Sequence, residues 1–299
     1  MAHESNLNPL SIYSRWPDRI DELLTSKGYT HPQLLFTPTQ LFTRLKDPRL
    51  CLIDVRFSHE FARGHIPGAV HFDLYGISLI DTGPEASRAF MGMYQYLFQH
   101  RGVDFDKTVV FYENISGMKA ARAFWFLEYF GHEDVHVLDG GFNAWVEAGY
   151  PVTTEVTEPK ASHFQARPKS ELFWNAEEVL NHLHDPDTVI LDTRSDEEYY
   201  ARNIRAARGG AIPGAVHLEW TRNLDEKGAF KPAHELKAMY EAAGVTPDKD
   251  IVSYCQGGYR SSHAYLALRL IGYPKLHNYI GSWKEWGDRL DLPIEIPKP

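Results

Sequence analysis

The chain has 299 residues, 43% of them hydrophobic and 24% charged, the balance of a folded globular protein long enough for two domains. A formal net charge of -9 argues against a general nucleic-acid or anionic-membrane partner, though it leaves room for one small basic site. No apolar stretch approaches the roughly 18–20 residues that span a bilayer, which points away from a membrane protein.

Read in chain order, residues 1–31 form an N-terminal extension. They carry no basic segment followed by an apolar one, so a cytoplasmic location is expected. Residues 32–150 then alternate short apolar runs with longer amphipathic ones. A strand led by Cys51-Leu52-Ile53 ends in Asp54-Val55-Arg56 and is followed by Ile66-Pro67-Gly68-Ala69-Val70-His71. The stretch Asp73–Arg88 reads as a long loop without an assignable role. Thr108–Tyr112 and Val135–Leu138 read as buried parallel strands. Between them lies an amphipathic helix over Ala120–Phe130, stopped by Gly131. Residues 151–173, rich in proline, threonine and charge, read as a linker.

The same signals return in residues 174–299. Ile190-Leu191-Asp192-Thr193-Arg194, Ile212-Pro213-Gly214-Ala215-Val216-His217, a strand at Ile251–Tyr254, a helix over Ser261–Ile271 and Gly281-Ser282-Trp283-Lys284-Glu285-Trp286 repeat the first half in order. The offsets are 138 from Asp54 to Asp192, 146 from Pro67 to Pro213 and 141 from Trp145 to Trp286. A period this long is a duplicated domain, since solenoid repeats run about 20–50 residues. The predicted fold class is α/β: two tandem domains, each a small parallel sheet flanked by helices.

The chain has two cysteines, Cys51 and Cys255, too few for a disulfide scaffold or a four-cysteine zinc site. Cys51 sits within an apolar strand and reads as a small core residue. Cys255 opens Cys255-Gln256-Gly257-Gly258-Tyr259-Arg260, between a buried strand and a helix start. Ligands of open α/β sheets bind beyond the carboxyl ends of strands. A glycine-bearing loop feeding a helix aims backbone N–H groups at an anion, and with Arg260 nearby the thiol is expected to ionise easily. Asp54 and Asp192 are read as acceptors of backbone hydrogen bonds, His263 as a surface residue of the helix, and Tyr259 as either pocket wall or solvent-facing. The 15 histidines show no metal spacing.

With these motifs in hand, roughly residues 35–295 resemble the rhodanese family, and specifically its tandem-domain thiosulfate sulfurtransferases. The marks are Asp192-Thr193-Arg194, Ile212–Ala215, Cys255–Arg260 and the glycine–tryptophan segments near each domain end, Gly140–Trp145 and Gly281–Trp286. The resemblance implies a catalytic C-terminal domain with Cys255, Arg260 and Arg194 as catalytic or donor-contacting residues. Gln256, Gly257, Gly258 and Tyr259 would be the substrate-binding loop. It implies sulfane sulfur passing from a small-molecule donor such as thiosulfate to cyanide or a thiol through a Cys255 persulfide, without metal or organic cofactor, in a monomer. An alternative role for Arg194 is an ion pair with Glu198, four residues on. Glu113 stands where Cys255 is expected, in a loop one residue longer, so the first domain should be catalytically silent. The sister 3-mercaptopyruvate sulfurtransferases tend to carry Cys-Gly-Ser/Ala-Gly-Val-Thr, whereas Gln256 and Arg260 give a loop suited to a small dianion. Related phosphatases need Cys-x5-Arg, one residue longer than found here. A noncatalytic binding module, the role of many cysteine-free relatives, is disfavoured by the intact Cys255 loop.

Overall fold

In the computed structural model, which describes residues 24–298, strand assignments follow the apolar runs closely. The first sheet contains β1 (Leu35–Phe36), β2 (Leu50–Asp54), β3 (Val70–His71), β4 (Thr108–Tyr112) and β5 (Val135–Leu138), in the order β1-β5-β4-β2-β3. The second contains β6 (Thr188–Asp192), β7 (Val216–His217), β8 (Asp250–Tyr254) and β9 (Leu276–Asn278), in the order β7-β6-β8-β9. All pairings are parallel, and the equivalent pairs Asp54 with Tyr112 and Asp192 with Tyr254 sit in register. The two halves are therefore an α/β duplication, as the repeat predicts.

Helix starts follow from local chemistry. Thr37 with Gln40, Asn175 with Glu178 and Ser195 with Glu198 each form a reciprocal capping box that satisfies otherwise orphaned donors. The helices Met118–Tyr129 and Tyr259–Leu270, which follow the equivalent loops of the two halves, pack against each other across the seam. They depart from the amphipathic expectation. Every residue from Ala120 to Tyr129 is buried, as is nearly every residue of Tyr259–Leu270. A helix buried all round is one sandwiched between layers. One core runs through both halves by way of these helices, while smaller cores fill the outer face of each sheet.

This corrects the placement of His263. It is fully buried in the seam, its Nε2 at 2.8 Å from the Ser116 carbonyl and its Nδ1 at 3.3 Å from Asn223 Nδ2. Other polar ties cross the same seam. Glu128 receives Tyr265 and Arg269, and Glu285 receives the backbone N–H and the hydroxyl of Thr82.

Of the predicted N-terminal extension, residues 1–23 lie outside the described residues. The remainder touches both halves: Lys27 pairs with Asp139 of the first and donates to the Phe230 carbonyl of the second, and Tyr29 donates to the carbonyls of Phe230 and Lys231. The predicted linker has little regular secondary structure apart from a short 3-10 turn at Ser170–Leu172. The stretch read as the loop Asp73–Arg88 ends early, because the helix Pro84–Gln99 begins inside it. Among the described residues, no helix is long and apolar enough to cross a membrane and no cluster of three potential metal ligands occurs.

Candidate active site

The central strand β8 delivers Cys255 to the carboxyl edge of the second sheet, one residue after Tyr254. The chain then turns through Gly258, whose φ of +88° suits glycine. A Cβ there would lie 3.2 Å from the Ile280 carbonyl oxygen. The turn brings the Gly258 N–H to 3.2 Å from Cys255 Sγ. The N–H groups of Gly257, Arg260 and Ser261 are also directed at the sulfur. Burial alone would push this thiol up, but the charge of Arg260 and the converging N–H groups outweigh it and bring the thiol below its ordinary value. Cys51 shows the opposite balance. Buried without such donors, it is pushed up to about 12.

Arg260 is itself anchored. Its Nη1 and Nη2 both bond the carboxylate of Glu198, the second at 2.9 Å, and Glu198 also receives Arg205 at 3.2 Å. Burial of Glu198 would raise its pKa, but these partners hold it at about 2. Arg260 thus remains charged and lines the cavity above Cys255.

Arg194, expected from the resemblance to contact the donor, does not line this cavity. Its guanidinium lies 1% exposed, doubly bonded to Asp192 and donating to the Gly210 carbonyl, and stacks on Trp283. The ion pair considered with Glu198 is absent, since that carboxylate is taken by Arg260 and Arg205. The cause is Asp192. A carboxylate ending a buried strand needs charge and hydrogen bonds to compensate its desolvation. Asp192 obtains them from the Arg194 N–H and guanidinium and from Tyr254 OH. The first half repeats the network without a cysteine: Arg56 binds Asp54 and the Gly64 carbonyl. Asp192 and Asp54 do accept backbone N–H groups as expected.

The equivalence of Glu113 and Cys255 is visible in the backbone. Phe142 N–H donates to the Glu113 carbonyl as Trp283 N–H does to that of Cys255, and Asn143 to Asn114 matches Lys284 to Gln256. The Glu113 carboxylate folds into its own loop, accepting N–H groups from Lys119 at 2.6 Å and Ala120 at 3.2 Å. A Cβ on Gly117 would meet it at 2.5 Å. The anion cradle of the first half is filled by its own side chain.

Cys255 lies on the floor of a cavity of about 460 Å³. Gln256, Gly257 and Tyr259 line it, and Gly258 serves the sulfur from behind. Tyr259 is wall: it is buried, and its hydroxyl donates to the carbonyls of Leu74 and, at longer range, Ile77. The first half supplies Tyr75, Gly76, Ser78 and Met118, and the second adds Arg205, Trp220 and Lys284. Sequence reading missed all seven. One signal was available. The repeat offset grows from 138 to 146 between Asp192 and Pro213, marking an insertion that contains Arg205. Ser282 was also missed. Its Oγ accepts the Cys255 N–H at 3.1 Å, and its φ of +55°, matched by Gly141 in the first half, is unusual for serine.

A family described as Rhodanese-like domain matches residues 37–148 and 175–289, and the chain belongs to it. A protein named sulfur carrier protein TtuD from Thermus thermophilus is 36% identical over 283 residues, covering 89% of this chain and 98% of its own. A thiosulfate sulfurtransferase from Azotobacter vinelandii is 34% identical over 263 residues, covering 88% and 97%. Among solved structures, the anaerobic ergothioneine biosynthesis enzyme from Chlorobium limicola aligns with a TM-score of 0.79 at 22% identity, over 90% of this chain and 72% of that one, a likeness of fold.

Proposed function

We propose that the protein is a sulfurtransferase that takes sulfane sulfur from thiosulfate onto Cys255 and passes it to a thiophilic acceptor. The observation that carries this reading is the Cys255 thiol, held below its ordinary value inside a ring of N–H groups, beside Arg260 and open to a cavity. The Cys255 thiolate attacks the outer sulfur of thiosulfate. A new S–S bond forms, the S–S bond of thiosulfate breaks, and sulfite leaves with the bonding pair. The terminal sulfur of the resulting persulfide takes the place of the thiolate as anion, where the loop N–H groups and Arg260 stabilise it. An acceptor nucleophile then attacks that sulfur, and the Cys255 thiolate is the leaving group. Two displacements through a covalent intermediate give ping-pong kinetics.

A cavity with Arg260, Arg205 and Lys284 and no carboxylate in its lining favours a dianion, and relatives named thiosulfate sulfurtransferases agree with that choice of donor over 3-mercaptopyruvate. The likeness to a protein named a sulfur carrier favours a thiol as cellular acceptor over cyanide. The test is intact mass before and after thiosulfate, with Cys255→Ser alongside. A gain of one sulfur, lost on adding cyanide and absent from the variant, supports the reading. A gain only with 3-mercaptopyruvate changes the donor, and no gain with either leaves a binding module.

A further inference from the structure

Arg122 is the fifth residue of the helix Met118–Tyr129, as His263 is of its counterpart Tyr259–Leu270. His263 has both ring nitrogens bonded, and its partner Asn223 also accepts from Tyr240, so that polar set is closed. Arg122 is not served in this way. It is 2% exposed, and its Nη1 donates to the Ile77 carbonyl at 2.7 Å, but Nε and Nη2 are buried without a partner among the described residues. The ring centres of Tyr259, Phe126 and Tyr94 lie 3.9, 5.3 and 5.6 Å from the guanidinium carbon. Aromatic rings attract the charge but offer its N–H groups no lone pair.

Arg122 lines a cavity of about 10 Å³ together with Tyr94, Lys119 and Tyr259. The Tyr94 hydroxyl is likewise buried without a partner, and burial pushes it up to about 12, so it keeps its proton at neutral pH. No carboxylate is in the lining. The acidic side chains whose charges reach its walls, Glu60 and Glu113 at Lys119 and Asp73 at Tyr259, stand outside it. The Leu74 and Ile77 carbonyls of the adjoining segment already receive Tyr259 and Arg122. A water here would meet donors, find no free acceptor for its own hydrogens and leave a buried charge uncompensated. An anion answers both needs. The volume is about that of one water-sized sphere, which excludes thiosulfate and sulfate. A monatomic anion is slightly larger, and the flexible Lys119 chain and half-exposed Tyr75 can give way on the solvent side.

We infer that this cavity is a halide site that takes one chloride as counter-ion of Arg122, with Arg122 Nε and Nη2 and the Tyr94 hydroxyl as donors and Lys119 as a second positive charge. Tyr75 and Tyr259 line both this cavity and the one over Cys255, and the Ile77 carbonyl is held by Arg122. The ion therefore steadies the wall of the catalytic cavity from behind, without meeting the substrate.

The test is halide-dependent stability. The protein is dialysed exhaustively into sodium gluconate, and chloride or bromide then replaces gluconate at constant sodium concentration. The wild-type melting temperature should rise along a saturating curve with either halide, since a ligand of the native state stabilises it by mass action. Amide exchange over residues 74–78 should slow in step. Tyr94→Phe, which removes one donor and leaves Arg122 in place, should raise the halide midpoint roughly tenfold, as for loss of one hydrogen bond to a charged group. Arg122→Met should abolish the response. In bromide-soaked crystals an anomalous peak is expected between Arg122 and Tyr94. A halide that dialysis fails to remove would appear as one equivalent released on denaturing wild type, and none from Arg122→Met. Neither a halide response nor released halide in wild type would mean that the cavity holds water, which overturns the inference. So would an unchanged midpoint in both variants, or a bromide peak only outside this cavity, since the halide would then act elsewhere.

Discussion

Glu198 holds Arg260 by both terminal guanidinium nitrogens, and the same carboxylate closes the capping box that begins with Ser195. A helix start after β6 thereby fixes the cation that sits over the cysteine loop after β8. An arginine in the first turn of a helix opposes the helix dipole, so its position is favourable only with counter-charge, here Glu198 and the Cys255 sulfur.

Arg260→Gln should therefore shift the alkylation of Cys255 to higher pH. The wild-type thiol lies below its ordinary value despite burial, and Arg260 is the principal charge responsible. Removing it raises the thiol and slows iodoacetamide labelling at neutral pH several-fold, with Arg260→Lys between the two. Cys51, pushed up to about 12, stays silent over the same range. An unshifted profile would mean that the loop N–H groups alone set the thiolate.

A second prediction concerns Arg194. Removing one partner of a buried ion pair typically costs about 3–5 kcal/mol, since the other charge is left uncompensated. Arg194→Ala and Arg56→Ala should each show a loss of that order in urea unfolding, because both guanidinium groups serve buried strand-end aspartates in the same way. If Arg194→Ala instead left stability intact and raised KM for thiosulfate, the donor-contact role implied by family resemblance would be supported.

The contrast between Arg194 and Arg260 also shows what sequence carries. The strands at 108–112 and 135–138, the duplication and the placement of Cys255 at a strand end were legible because each depends on local apolar runs and on a loop that is contiguous in sequence. Contacts between segments far apart were not. Asp192-Thr193-Arg194 gives no hint of which way the arginine turns, and that is decided by the unpaired charge of a buried carboxylate. The seam was hidden for a related reason. Met118–Tyr129 and Tyr259–Leu270 each contain polar residues at helical spacing, which suggests a wet face, yet His263, Tyr265 and Arg269 spend that polarity on Ser116 and Glu128 of the other half. Tyr75 and Ser78 reach the cavity only because the first half packs on the second.

His263 makes stability pH-dependent in a defined window. Burial holds its pKa at about 4, below its ordinary 6.5. Asn223 Nδ2 is the donor to Nδ1, so the native ring is neutral with its proton on Nε2, facing the Ser116 carbonyl. As pH falls below 6.5 the unfolded chain takes up a proton that the native chain refuses until about 4. Stability is then lost across that interval, by about 3 kcal/mol in total, with no contribution above 6.5. Glu198 acts lower. Held at about 2 against an ordinary 4.5, it stabilises fully above 4.5, and that contribution is lost as pH falls from 4.5 toward 2. Urea titrations between pH 6.5 and 5 cover this window, in which burial also lowers His132 and His31, so the His263 share is the difference between wild type and a variant that lacks it. His263→Gln, which retains a donor for Ser116, should flatten the slope there, and an unchanged slope would assign the loss to other groups.

The last prediction tests why a half without a nucleophile matters to the site. Tyr259 donates its hydroxyl to the Leu74 carbonyl at 2.6 Å, Arg122 donates to that of Ile77 at 2.7 Å, and Thr82 is bound to Glu285. These three ties pin the segment 74–82 of the first half over the Cys255 loop, where Ser78 comes so close that a Cβ on Gly257 would lie 2.8 Å from its Oγ. Tyr259→Phe keeps the ring and its stacking on Arg122 but leaves the Leu74 carbonyl without its donor, a loss of about 1 kcal/mol. The expected effect is local. Amide exchange over residues 74–78 should quicken while β4 and β8 stay protected, and turnover with thiosulfate should fall with little change in thermal stability. Thr82→Val, which removes the hydroxyl at the other end of the segment, should act in the same direction. If exchange over 74–78 were unchanged in both variants, the wall would be held by apolar packing of the two halves, and the tyrosine hydroxyl would be incidental to the shape of the cavity.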